Sequence, residues 1–317
     1  MPIFLDSEFK IIKTMRINHL GMVGYGEVGK IITSGLKDRM DGVHVWDLKF
    51  VDKKTNNANA SELTHAKNAG IDAVDSMQAL CKVSNFIVSA VTASQTLAVA
   101  QAAAQHIQAG SVFLDLNSAS PGTKQQAAKV IEAAGAHYVE AGVMTSIPPY
   151  GIRVPMLLGG IKSSSLAPLL IAFGMDVKVV STDIGVASAI KMCRSVMIKG
   201  LEALVIESYA TARKYGVEDH VIPSLAETFP SIDWQQTGAY FFSRVVQHGK
   251  RRAEEMRESA NTVKEAGFEP FMAAAIAQKH DWVAGLSRDG VFDGLPKSPV
   301  WQDYADRMID NQNQNQQ

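Results

Sequence analysis

The sequence predicts an α/β domain with a doubly wound, mostly parallel sheet, followed by an all-α domain, and three observations predict it. The first is His19 to Gly29, an apolar strand that runs into Gly24-Tyr25-Gly26-Glu27-Val28-Gly29 and then into a helix, with Val28, Ile31, Ile32 and Leu36 at helical spacing. The second is an alternation of short apolar runs with helical segments as far as residue 182, the mark of βαβ units. The third is the change after Thr182, beyond which helical periodicity continues to about Ile309. A strand, a glycine turn and a helix in that order open a Rossmann-type fold.

After the glycine turn the first helix reaches about Met40 and stops at Gly42, and Val43 to Trp46 reads as a second strand closing on Asp47. A polar helix (Ser61 to Ala69), a short strand (Ile71 to Val74) and the apolar strand Phe86 to Val91 follow. An alanine-rich helix spans about Ser94 to Ile107 and ends at Gly110. Next come a strand from Ser111 to Leu116, a helix opened by Ser120-Pro121 with proline at its first position, and a strand from His137 to Val143. Val154 to Leu158 and Val177 to Val180 bracket a helix over Ser164 to Phe173 and extend the sheet. The stretch Gly185 to Tyr215 is apolar on nearly every face, which predicts a helix buried in its own fold or against a second subunit.

The domain boundary therefore falls near residue 182. Residues 1–182 form the sheet domain, with 1–14 an extension ahead of the first strand. Residues 183–317 form the helical domain, with 311–317 (NQNQNQQ) expected to be disordered.

Composition excludes several classes. At 46% hydrophobic and 20% charged residues, the 317-residue chain is a folded one with room for two cores. A net charge of −1, from 31 basic and 32 acidic side chains, provides no overall field for nucleic acid or an anionic membrane. No apolar run approaches the ~20 residues of a membrane span, and the N-terminus lacks the apolar core of a secretion signal, so a soluble cytoplasmic protein is expected. Cys81 and Cys193 lie in apolar helical stretches and read as reduced core thiols. The eight histidines show no HExxH or Cys-His spacing, and no metal is expected.

The glycine turn carries its own chemistry. Gly24 takes a tight turn, Gly26 lets the backbone approach a pyrophosphate, and Gly29 lets the helix pack close to the strand. Residues Gly24, Tyr25, Gly26, Glu27, Val28 and Gly29 are thus the expected cofactor turn, with the diphosphate on the free N–H groups of the helix start. Glu27 is expected to face outward, because a carboxylate turned inward repels the phosphates. Asp47, eighteen positions after Gly29, stands where such a site holds the adenosine ribose diol. It disfavours a 2′-phosphate, which points to NAD over NADP, although Lys49 and Lys53 nearby are able to serve a phosphate.

Two further clusters carry chemistry. Asp115-Leu116-Asn117-Ser118-Ala119-Ser120-Pro121 sits at the C-terminal end of a predicted strand, where open α/β sheets bind ligands, so Ser118 is a candidate for a substrate carboxylate. Capping of the following helix by Ser120 is the plain explanation for part of that cluster. In Gly185 to Ser195, the residues Lys191, Arg194 and Ser195 share one helical face. Desolvation beside a second cation would lower the pKa of Lys191 toward the range of a general acid/base. A lysine with a solvated head is the equal alternative. His248 to Met256, HGKRRAEEM, reads as a charged helix with Arg251 and Arg252 each in reach of Glu255. A solvated face is the main reading, and entry of Arg251 or Arg252 into the active site the alternative.

Together these segments carry a resemblance. The glycine turn, DLNSASP, Glu140-Ala141-Gly142-Val143, Gly159-Gly160 and GVASAIK stand in the order seen in the β-hydroxyacid dehydrogenase superfamily, which includes 3-hydroxyisobutyrate, tartronate semialdehyde and 6-phosphogluconate dehydrogenases. MTSIPPYGIRVP, KMCRS and HGKRRAEEM make the chain most similar to the branch with a DUF1932-type C-terminal domain. The resemblance implies an NAD(P)-dependent dehydrogenase acting on CH–OH groups of a small β-hydroxy acid or related semialdehyde. It makes Lys191 the catalytic lysine, places Ser118 on the substrate acid, and sets Val91 and Thr92 beside the nicotinamide.

Two departures bear on the substrate. Met144-Thr145-Ser146 stands where relatives carry Ser-Gly-Gly, which makes Met144 and Thr145 candidate substrate contacts. Arg194 stands where relatives carry Asn and suggests a more acidic or larger substrate, beside Ser195. An imine reductase or reductive aminase on the same architecture, and an NAD(H)-binding protein without turnover, are the alternatives. A homodimer through the helical domain is expected.

Overall fold

The computed structural model describes residues 15–50 and 58–314 of the chain. The expected extension (residues 1–14), Lys53 and residues 315–317 lie outside the described residues.

Eight strands form one sheet. In chain order they are β1 (His19–Val23), β2 (Gly42–Trp46), β3 (Asp72–Ala73), β4 (Phe86–Ser89), β5 (Val112–Asp115), β6 (His137–Val143), β7 (Met156–Gly159) and β8 (Val177–Ser181). The spatial order is β3-β2-β1-β4-β5-β6-β7-β8, parallel throughout except for the antiparallel β6–β7 pair. Helices α1 (Glu27–Leu36), α2 (Ala58–Asn68), α3 (Met77–Val83), α4 (Thr96–Ala104), α5 (Pro121–Ala133) and α6 (Ser163–Ala172) connect them. Their apolar residues cover the two faces with separate cores, one around Leu20, Ile32, Phe86 and Leu114, the other around Leu80, Ile87, Phe113 and Tyr138. Helix α3 is the apolar helical stretch around Cys81, to which the sequence reading gave no bounds, and Ser76 is its N-cap, accepting from the Ala79 N–H at 3.1 Å.

Strand order reverses between β1 and β4, the switch point at which such sheets hold ligands. Val23 pairs with Ser89 and Ser89 with Asp115, so the segments after β1, β4 and β5 leave the sheet at one edge. That register brings Gly24, Val91 and Ser118 together although they lie far apart in sequence.

The helical region comprises α7 (Val186–Tyr215), α8 (Glu218–Thr228), α9 (Trp234–Glu265), α10 (Phe271–Arg288) and α11 (Trp301–Gln314) around a core of Ile206, Tyr209, Phe242, Val245 and Trp301. Glycines in left-handed conformation close both ends of α7, at Gly185 and Gly216. Buried Glu140 of β6 accepts from the Gly185 and Ala187 N–H groups at 2.7 and 3.0 Å and from Ser188 Oγ at 2.7 Å, which fixes the start of α7 on the sheet. Small residues make this approach possible. A Cβ on Gly159 would fall 2.6 Å from Glu140 Oε1, and one on Gly142 would fall 2.9 Å from the Ala187 carbonyl.

Helix α7, expected to be buried in its own fold or against a second subunit, leaves Ile190, Met197 and Leu204, seven residues apart, exposed within the chain. Three expectations need correction. Cys81 is buried and its thiol is pushed up to about 12 by burial, whereas Cys193 is on the outer side of α7 and exposed. Residues 311–314 of the expected disordered tail continue α11, tied at Asn313 by the Lys214 ammonium at 2.6 Å. The HGKRRAEEM run is not a solvated face, because Arg252 is buried and Glu255 largely so. Among the described residues no helix is long and apolar enough to cross a membrane.

Candidate active site

An open cleft of roughly 690 Å³ runs along this sheet edge, between the glycine turn and the first faces of α7 and α9. At one end the glycine turn is built as its spacing requires. Gly24 has φ +91°, and a Cβ there would come 2.5 Å from the Ala90 carbonyl. A Cβ on Gly29 would meet the Gly24 carbonyl at 2.1 Å, whereas one on Gly26 would meet nothing within 4 Å and would project into the open cleft. No side chain caps the start of α1, so its first N–H groups face the space that Gly26 leaves free. Asp47, at the end of β2, accepts from the Tyr25 N–H at 2.7 Å and the Lys49 N–H at 2.9 Å, which ties the second strand to the turn. An uncapped helix start, a glycine whose missing Cβ opens the cleft and a carboxylate at the β2 end fit a dinucleotide.

The other residues of the turn divide. Val28 and Glu27 line the cleft. Glu27 is exposed, as an outward-facing acid should be, but stands on the cleft rim with its charge felt by His248 of α9. The side chain of Tyr25 is buried away from the cleft, its hydroxyl 3.0 Å from His65 Nδ1, so only its backbone belongs to the turn.

The chemical end is assembled from β4, β5 and α7. Asn117 Oδ1 accepts from the Val91 N–H at 2.7 Å, its Nδ2 donates to Ser89 Oγ at 3.0 Å, and its own N–H donates to Asp115 Oδ1 at 2.8 Å. Asp115 is buried and paired with Lys124 at 2.9 Å, and Tyr138 donates to its other oxygen at 2.5 Å. This network fixes where the chain turns after both strands, and so fixes Val91, Thr92 and Ser118, which all line the cleft. Helix α5 is capped by Ser120, as its sequence suggests, and two acids of α9 reinforce the cap. Glu258 accepts from the Ser120 N–H at 2.7 Å, and Glu265 accepts from Ser120 Oγ at 2.7 Å and the Gly122 N–H at 2.8 Å.

Lys191 Nζ donates to Ser118 Oγ at 2.5 Å. The serine accepts that bond, so its own proton remains available to a ligand in the cleft. Desolvation lowers the Lys191 pKa from 10.5 to about 8, assisted by Lys124 and Lys199 and opposed by Glu255 and Asp115. Beneath it, Lys199 pairs with Glu255 at 2.8 Å and donates to Ser195 Oγ at 3.3 Å. Burial alone would raise Glu255, but Lys199 and then Lys191 outweigh it and hold the carboxyl at about 2. Arg194, one turn after Lys191, is exposed in the cleft and donates one N–H to the Met144 carbonyl at 3.2 Å. Met144 and Thr145 line the same wall.

The structure distinguishes the two arginines of α9. Arg252 is buried and grips Glu202 of α7 through Nε, at 2.8 Å, and through Nη2, instead of pairing with Glu255. Arg251 is half exposed, lines the cleft and reaches Glu255 only at 4.0 Å. Sequence reasoning did not single out Asn117, Lys199 or Arg244, all of which line the cleft. For Lys199 a signal existed, since it follows Lys191 by eight residues on the same helical face.

Comparison with known proteins gives the family. Residues 19–148 match the NAD binding domain of 6-phosphogluconate dehydrogenase, and residues 212–283 match a domain of unknown function, DUF1932. A conserved hypothetical protein from Sinorhizobium meliloti 1021 is 33% identical, with 93% of this chain and 96% of that one covered and a TM-score of 0.73. A conserved protein of unknown function, whose structure is described as similar to 3-hydroxyacid dehydrogenases, is 26% identical over 85% of this chain and 98% of its own, with a TM-score of 0.65. The 3-hydroxyisobutyrate dehydrogenase of Mycobacterium tuberculosis, solved with L-serine, shares the fold at 12% identity, with 85% and 94% covered and a TM-score of 0.67. With its dinucleotide-binding sheet domain and its DUF1932-type helical domain, the chain belongs to the 6-phosphogluconate and 3-hydroxyisobutyrate dehydrogenase-like β-hydroxyacid dehydrogenase superfamily.

Proposed function

We propose that the chain is an NAD(P)-dependent oxidoreductase that moves a hydride between a nicotinamide cofactor and a small β-hydroxy acid or the related semialdehyde. The observation that carries the reading is the Lys191–Ser118 contact at the switch point, beside the end of β4. A bound nicotinamide cofactor would supply the hydride acceptor, and Val91 and Thr92, which line the cleft, would help to hold it there. In oxidation, neutral Lys191 takes the hydroxyl proton as the carbinol carbon gives up hydride. In reduction the Lys191 ammonium returns the proton. Ser118 donates to the substrate carboxylate, and Arg194 adds a guanidinium fork to it, with Ser195, Met144 and Thr145 around them. Asp47 favours the ribose diol of NAD. The reading is tested by NADH fluorescence on binding, followed by turnover across a panel of β-hydroxy acids; binding without turnover across the panel would identify a sensor instead.

For Arg194 the expected result is specific. Arg194→Ala should raise KM for an acidic substrate about thirtyfold, the equivalent of losing a charge-assisted hydrogen bond worth about 2 kcal/mol, with kcat little changed. Steady-state kinetics check this, and an unchanged KM removes Arg194 from the substrate site.

We also propose a homodimer through α7. Exposed Ile190, Met197 and Leu204 form one stripe along a 30-residue helix, a surface that a lone subunit leaves in water. Light scattering should return twice 34.3 kDa for the wild type and 34.3 kDa for Met197→Glu combined with Leu204→Glu. A wild-type mass of one chain contradicts the dimer.

A further inference from the structure

The charges around Lys191 do not balance. Each buried acid at this end of the cleft already has its cation: Lys199 holds Glu255 at 2.8 Å, and Arg252 holds Glu202 through two donors. His280, completely buried 3.8 Å from Glu202, adds no positive charge, since burial and then Arg252 and Lys199 push its pKa down to about 3. Among the described residues Arg194 and Arg244 have no carboxylate within ion-pair distance, and Arg251 reaches Glu255 only at 4.0 Å, on a carboxylate that Lys199 already occupies. Against these three guanidiniums stand Glu254 and, on the rim, Glu27, acids of the cleft lining without an ion pair among the described residues.

Two of these arginines line the cleft from different helices. Arg194 lies one turn along α7 from Lys191, with part of its fork spent on the Met144 carbonyl. Arg251 lies one turn before Glu255 on α9, and Glu255 is close enough to Lys191 to act on its charge. An unpaired guanidinium in a cleft presents a planar fork of donors suited to a carboxylate or phosphate. One such group accounts for Ser118 and Arg194. Arg244 and Arg251 of α9 remain, and of the two Arg251 is the one a turn away from Glu255, the acid that acts on Lys191.

We propose that the substrate is a dianion, with its first carboxylate on Ser118 and Arg194, its hydroxyl at Lys191, and a second anionic group, a carboxylate or a phosphoryl group, on Arg251. The proposal rests on the hydroxy-acid reading above and specifies its substrate class. It makes Arg251 a specificity-determining residue: a monoanionic hydroxy acid leaves this guanidinium without a partner, whereas a dianion fills it.

The test uses the protein saturated with NADH at constant ionic strength, with three probes: butyrate, succinate of the same carbon count with a second carboxylate, and 3-phosphonopropionate, which carries a phosphonate. Calorimetry should show at least one dianion bound about tenfold or more tighter than butyrate, the scale of one charge-assisted contact. The ranking of succinate against the phosphonate identifies the second group. Arg251→Ala should abolish the preference and Arg251→Lys should retain part of it, while NADH affinity stays within about twofold. Equal binding of all three probes overturns the proposal, as does a preference untouched by Arg251→Ala. A loss of NADH affinity in place of the preference assigns Arg251 to the cofactor and also overturns it. These readouts need no turnover. Failure to oxidise any hydroxy acid would remove the dehydrogenase reading and leave the dianion site standing, and binding indifferent to the second charge would do the reverse.

Discussion

Lys191→Ala should lower kcat for hydroxy-acid oxidation about a thousandfold while leaving NADH affinity within about twofold. The magnitude is that of a positioned general base, and the position is explicit: Nζ is 2.5 Å from Ser118 Oγ at the mouth of the switch-point cleft. Helix α7 supplies the rigidity. Glu140 anchors its first turn by three hydrogen bonds, and α7 packs so close to β6 that a Cβ on Gly142 would stand 2.9 Å from the Ala187 carbonyl and 3.6 Å from the Lys191 Cβ. The comparison of kcat with NADH affinity matters because a variant that merely disturbed α7 would weaken both. Imine turnover that survives the substitution, in the absence of alcohol oxidation, would place the chain with imine-reducing enzymes.

Gly26→Val should weaken NADH binding about a hundredfold, roughly 3 kcal/mol, with no comparable loss of thermal stability. The backbone at Gly26 has φ −78° and ψ −162°, an extended conformation that valine adopts without strain. A Cβ there meets no protein atom within 4 Å, so the damage falls on whatever occupies the cleft at the start of α1. Gly24→Ala and Gly29→Ala provide the contrast. Their Cβ atoms would strike backbone oxygens at 2.5 and 2.1 Å, and both should lower the melting temperature together with cofactor affinity. Thermal melts beside fluorescence titrations separate the three. A Gly26→Val protein that binds NADH normally would mean the dinucleotide does not lie on this turn.

What the sequence makes legible here is local. The turn after β1, the Ser120-Pro121 start of α5 and the glycine-bounded span of α7 are each determined by residues within one or two turns of each other, and each is found in the structure where the spacing puts it. Arg252 shows the opposite case. Its neighbour at helical spacing is Glu255, but its partner is Glu202, fifty positions away on the helix packed against it. The double carboxylate cap on α5 is set by the same kind of long-range docking, as Glu258 and Glu265 arrive from the far end of α9. Cys193 sits in a stretch of apolar composition yet faces outward, because α7 buries one face and leaves another uncovered. The polar residues that gather at the cleft, Ser118, Lys191 and Arg194, were readable from type and spacing. The ion pairs that decide which of them remain available to a ligand depend on helix packing.

Lys191 is proposed as the group that exchanges a proton with substrate, and the pH dependence of kcat/KM reads that exchange. Desolvation, with Lys124 and Lys199, holds the amine at about 8, so it is an ammonium below that pH and a neutral base above it. Oxidation needs the neutral form, and its kcat/KM should rise with pH through a single ionisation near 8 and then level. Reduction needs the ammonium, and its kcat/KM should fall through the same value. A wild-type oxidation profile that stays flat from about pH 6 to about pH 10, or a rise near 8 that persists in Lys191→Met, would contradict the account.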